Sequence, residues 1–116
     1  NDIFFIALPH TTCGNSEIVT EKITKHLTNI SLENSGMINF FFGISSLGSD
    51  KNSLTKDLQC ESVENYFNIK EPQTADWEKI GETKNNMVLK LRQYAEKALQ
   101  KAVSENIKTI KYSDMI

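Results

Sequence analysis

The chain is poor in the residues that mark most specialised protein classes. Among its 116 residues there are two cysteines, two prolines, one tryptophan and five glycines. Cys13 and Cys60 are too few and too far apart to form the disulfide framework of a small secreted domain, so a reducing, cytoplasmic setting is expected. The longest apolar runs, Ile3 to Leu8 and Phe40 to Phe42, fall far short of the roughly 20 residues that a spanning helix needs, and no membrane insertion by this segment is expected. Thirteen Lys and Arg against fifteen Asp and Glu leave a net charge of −2. Overall attraction to phosphate backbones is thereby missing, which disfavours a nucleic-acid partner. The glycines do not gather into a phosphate-binding loop of either standard kind. The first residue is Asn1 rather than Met, which reads as a fragment of a longer protein.

What is present suits one domain over residues 1–116, with a single modest core. Ile3 to Leu8, closed by Pro9, has the near-continuous apolar pattern of a strand covered on both faces. Asn15 or Ser16 can cap a helix at about 16–29, with Ile18, Val19, Ile23, Leu27 and Ile30 at helical spacing. After the turn at Asn34-Ser35-Gly36, residues Met37 to Ile44 read as a second buried strand. Ser53 can cap a short helix through Leu54 and Leu58. Residues Gln59 to Lys84 share no steady period and read as an insertion. Asn86 to Ser104 is the strongest helix, with Val88, Leu91, Ala95, Ala98 and Ala102 three and four apart. Glu105-Asn106 turns the chain into a short strand at 107–112, and the last residues are expected to fray. Strands separated by helices predict an α/β (α+β) fold, a central sheet flanked by helices, without fixing strand directions.

Two segments carry a family resemblance. Asn1-Asp2-Ile3-Phe4-Phe5-Ile6-Ala7-Leu8-Pro9 resembles the signature hairpin end and following strand of the GGDEF domain, the fold of bacterial diguanylate cyclases. Ala95-Glu96-Lys97-Ala98-Leu99 resembles the Ala-Asp-x-Ala-Leu core of that family's late helix, and Phe41-Phe42-Gly43-Ile44-Ser45 stands where an Ile-Gly-Ile type strand end is found. The resemblance covers the C-terminal half of a full domain, apart from the insertion, and implies part of a palm, ferredoxin-like fold. The loop before the long helix is longer than the family shows, and the exit near Asn106 lacks its glycine.

The resemblance also implies a chemistry and its loss. Diguanylate cyclases join two GTP molecules, each held on one domain of a dimer, using divalent metal bound by carboxylates. Asp2 falls on one metal-binding acidic position, Ile3 on the second, and Asn1 on a glycine that lets nucleotide approach backbone. The implied nucleotide-binding residues are therefore Asn1 and Asp2, with Asp2 the one metal ligand and Mg²⁺ present only where nucleotide binding survives. Isoleucine can neither ligate metal nor exchange a proton, so no catalytic residue is assigned. Taken by itself, Asp2 reads first as a solvated turn acid, because turns favour Asp without any ligand. Phe4, Phe5 and Phe40 to Phe42 are expected to pack rather than stack on bases.

Other patterns are weaker. His10 and Cys13 have a ligand-like spacing, but tetrahedral zinc needs four partners and would have to recruit both His26 and Cys60, the only other soft candidates, so no metal site is expected; no third group orients a Cys13–His10 pair for nucleophilic catalysis. Tyr66, Phe67 and Trp77 lie among charged residues and are the candidates for holding a protein partner, but because exposed aromatics cost solubility the favoured expectation is that they fold back over the sheet or the long helix. Three functions follow as expectations: an inactive GGDEF-like regulatory or docking module of a bacterial signalling protein; a cyclase domain still binding GTP or cyclic di-GMP, with a homodimer implied; or an unrelated small α/β interaction domain.

Overall fold

The computed structural model describes residues 3–33, 39–58 and 77–116. Along the chain these form α1 (Cys13–Glu33), β1 (Phe42–Ile44), α2 (Lys51–Leu58), α3 (Trp77–Glu105), β2 (Thr109–Lys111) and a closing 3₁₀ turn (Tyr112–Met115). Asn1, Asp2, Met37, Tyr66 and Phe67 lie outside the described residues.

The sheet is two-stranded and parallel among the described residues, with Phe42 opposite Thr109, Gly43 opposite Ile110 and Ile44 opposite Lys111. Parallel neighbours need a crossover, which α2 and α3 supply. The architecture is thus α+β, with helices packed against a small parallel sheet.

Contact between α3 and β1 depends on Gly43. A Cβ placed there would come within 2.9 Å of Leu99 Cα, and closer still to the Ala95 carbonyl oxygen and the Leu99 amide nitrogen. Backbone therefore rests on backbone at Ala95 and Leu99, and Ala98 and Ala102 of the same helix are fully buried small residues. The rest of the core lies between α3, α2 and the C-terminal turn: Leu54, Met87 and Tyr94 are buried together, with Leu47, Leu58, Leu91 and Tyr112 packed around them.

Several boundaries differ from expectation for local reasons. α1 begins at Cys13 because Thr12 is the cap: its hydroxyl accepts the Asn15 amide at 3.1 Å and its carbonyl accepts Ser16 N–H at 2.9 Å. Ser16 instead donates its hydroxyl back to the Cys13 carbonyl. Helix α3 starts at Trp77, so residues 77–84, assigned from sequence to the insertion, are helical, and Gly81 is carried inside the helix. Its inner stripe is Met87, Leu91, Tyr94, Ala98 and Ala102, whereas Val88, expected on that face, is exposed. The C-terminal residues do not fray, since Tyr112 stacks on Tyr94 with ring centroids 4.1 Å apart and planes within 5°.

The largest correction concerns Ile3 to Leu8. These residues form no strand, and Ile3, Phe4, Phe5 and Ile6 are exposed, Phe4 by 82 %. The expectation that Phe4 and Phe5 pack in the core is overturned with it. An apolar run reports a tendency toward burial, but a strand also needs a neighbouring strand to satisfy its amides, and none lies beside this segment among the described residues.

The exit from α3 is closed by a left-handed residue other than glycine. Asn106 takes a left-handed conformation, φ 57°. Its amide donates to the Val103 carbonyl at 3.3 Å, and the Ile107 amide donates to the Ala102 carbonyl at 2.9 Å, the paired bonds of a Schellman end. Asn adopts this conformation more readily than other non-glycine residues.

Two stability changes follow. Gly43→Ala forces α3 off β1 and should cost roughly 3 kcal/mol or more, the upper range for overpacking, read as a lower midpoint in urea unfolding. Asn106→Ala should cost about 1 kcal/mol through the left-handed backbone; an unchanged midpoint would remove the role given to this cap.

Candidate docking cleft

The described residues enclose one large cleft of about 1150 Å³. Its walls are the 3–8 segment on one side and β1 with its following loop on the other, and its floor comes from Val19 and Ile23 of α1 and Leu91, Ala95 and Leu99 of α3. The loop after β1 contributes Ser45, Ser46 and Ser49, whereas the floor side chains are apolar. An amphipathic α1 makes this possible, because Val19, Ile23 and Leu27 share a half-buried face while Ile18 and Ile30 turn outward.

The 3–8 segment is held at the rim by two features. The Arg92 guanidinium sits 3.9 Å from the centroid of the Phe5 ring, a cation–π contact. Beyond Pro9, His10 takes a left-handed backbone, φ 55°, and Thr11 donates its hydroxyl to the Pro9 carbonyl at 3.1 Å. This tight turn leads directly into the cap of α1.

One end of the cleft is polar. Cys13 opens α1 there, facing Ser49 and Lys111. Lys111 pairs with Glu17 at 3.2 Å and lies 3.8 Å from Asp114, which raises its pKa. Burial pushes the Cys13 thiol upward despite the opposing effects of the Lys111 charge and the Ser49 hydroxyl. The thiol is consequently held protonated and is not an activated nucleophile.

Beneath the adjoining loop lies Asp50, only 1 % exposed. One carboxylate oxygen accepts the Ser46 amide at 3.0 Å, and the other has no hydrogen-bond partner. Burial raises its pKa, partly offset by the Ser46 bond. Around it the loop bonds to itself: Ser49 N–H donates to the Ser46 hydroxyl at 3.1 Å, and Asp50 N–H to the Ser46 carbonyl at 3.0 Å. Ser45 donates its hydroxyl to the Leu91 carbonyl at 2.5 Å, tying the strand end to α3. On the far side Tyr94 donates its hydroxyl to the Asp57 carboxylate, joining α3 to α2. Burial, then that carboxylate, raise the tyrosine pKa.

No family model matches this chain, and no curated protein or solved structure matches it.

The site is therefore read from its own residues. Ile3 lines the cleft and is exposed, and Trp77 is the first residue of α3. Asn1 and Asp2, the implied nucleotide and metal positions, and Tyr66 and Phe67, the implied partner contacts, fall outside the described residues. No group of three His, Cys, Asp or Glu side chains able to hold a metal occurs among the described residues. The loop at 45–52 is readable from its Ser, Gly, Asp and Asn content, but sequence reasoning missed the burial of Asp50 within it and the Tyr94–Asp57 tie, because each depends on residues with no shared pattern. The cluster of Ser and Gly at 45–49 was the available signal for a self-bonded loop.

Asp50 makes stability depend on pH. An acid with a folded pKa above its unfolded value binds more protons in the native state, so stability declines as pH rises from the ordinary carboxylate range through the raised value. Asp50→Asn keeps the acceptor for Ser46 and removes the buried charge. Its melting temperature should exceed that of the parent at pH 7, and the gap should narrow as pH is lowered into the carboxylate range.

Proposed function

We propose that this chain is a catalytically inactive GGDEF-like regulatory or docking module of a bacterial signalling protein, and that its docking surface is the apolar cleft. The observation carrying this reading is the state of Ile3. It occupies the position that the resemblance gives to the second acidic residue, and it stands at the cleft rim as an exposed hydrocarbon. Metal-assisted phosphoryl transfer needs hard oxygen ligands near the triphosphate. A branched aliphatic group there supplies none, while exposed Ile3, Phe4 and Ile6 beside an apolar cleft suit a protein partner better than a nucleotide.

Retained binding of GTP or cyclic di-GMP would rest on Asp2 alone, with Mg²⁺ shared between that carboxylate and the substrate phosphates. Calorimetric titration of the protein with GTP, and separately with cyclic di-GMP, both with Mg²⁺, decides between the readings. No heat of binding is expected from either. Saturable heat from one of them would replace docking with nucleotide sensing.

A further inference from the structure

One wall of the cleft is made of main chain. Phe42 N–H donates to the Lys108 carbonyl at 2.8 Å, which fixes the ladder between β1 and β2. Peptide groups alternate in direction along a strand, so those of Phe42 and Ile44 serve β2, and those of Gly43 point to the opposite edge. No strand covers that edge among the described residues. Gly43 has no side chain, yet it lines the cleft and is only half-buried, so what it presents there is its own backbone. The side on which a Cβ would stand is already closed by α3.

A wall that hydrogen-bonds beside a floor that does not selects the occupant. An α-helix spends its amides and carbonyls on itself, and a lipid chain has none. Either would seal the Gly43 peptide unpaired in an apolar space, at a cost of about tenfold in affinity for each group. An extended main chain brings a free donor and acceptor to such an edge at every second residue. The floor at Val19, Ile23, Leu91 and Leu99 calls for apolar side chains on that segment. Residues 3–8 do not take this place; they stand as the facing wall, with Phe5 against Arg92, and their exposed Ile3, Phe4 and Ile6 offer apolar surface to whatever lies between.

We infer that the cleft receives an extended, apolar segment of a partner protein, which adds to the free edge of β1 as a strand. This deepens the docking reading and rests on it. Main-chain bonds to Gly43 hold the segment, and the apolar floor chooses its side chains.

The probe is a peptide selected from a phage-displayed random library on the immobilised chain, synthesised and titrated into the ¹⁵N-labelled protein. Saturable shifts are expected at Gly43, Val19 and Ile23, with new exchange protection of the Gly43 amide and unchanged protection of Phe42 and Ile44. A series of the same peptide, N-methylated at one residue at a time, then reads the pairing without altering the protein. Affinity should fall at least about tenfold at the residue whose amide meets the Gly43 carbonyl, and hardly at the two beside it, whose amides face away. A peptide that shifts the cleft residues but shows no such alternation, or binds as a helix, would overturn strand addition and leave docking in place. Selection that yields no peptide shifting the cleft residues would overturn both. Sedimentation showing the peptide-free chain self-associated, with Gly43 protected in that state, would give the edge to a second copy and overturn the inference. Nucleotide binding in the titration above would end the docking reading and this inference with it.

Discussion

The structure depends on a contact without side chains. At Gly43 the strand presents bare backbone to α3, and the helix answers with its own backbone at Ala95 and Leu99. Two strands of three residues cannot form an independent sheet. They persist because a 29-residue helix lies across both of them at close range. Neighbouring ties set the helix along its length: Ser45 bonds the Leu91 carbonyl, Tyr94 bonds Asp57 of α2, and Tyr112 stacks on Tyr94. The helix is thus the common support for the sheet, the short helix and the C-terminus.

This arrangement leaves one side of the fold finished and the other open. On the α2 side, Leu54, Met87 and Tyr94 are fully removed from water. On the α1 side none of the residues of α1 whose burial is described, 13–30, is fully buried, and Val19, Ile23 and Leu91 line the cleft. An apolar surface of that extent beside exposed Ile and Phe is costly to leave hydrated. That cost gives the docking reading its physical basis, independent of any family resemblance.

Legibility from sequence followed the range of the interactions. α3 was readable because its spacing of small and apolar residues reflects one periodic surface, although the face was placed one residue off at Val88 and its start was set after Gly81. A single glycine costs a helix about 1 kcal/mol, too little to stop a long one supported by packing. The turn at Asn106 was also legible, since the left-handed backbone is a local property of Asn. Pairing was not. Ile3 to Leu8 has every local mark of a strand, but a ladder depends on a partner that local pattern does not specify. Asp50 escaped for a similar reason: its burial is produced by the loop and by α3, and nothing in Gly48-Ser49-Asp50 announces a carboxylate withdrawn from water.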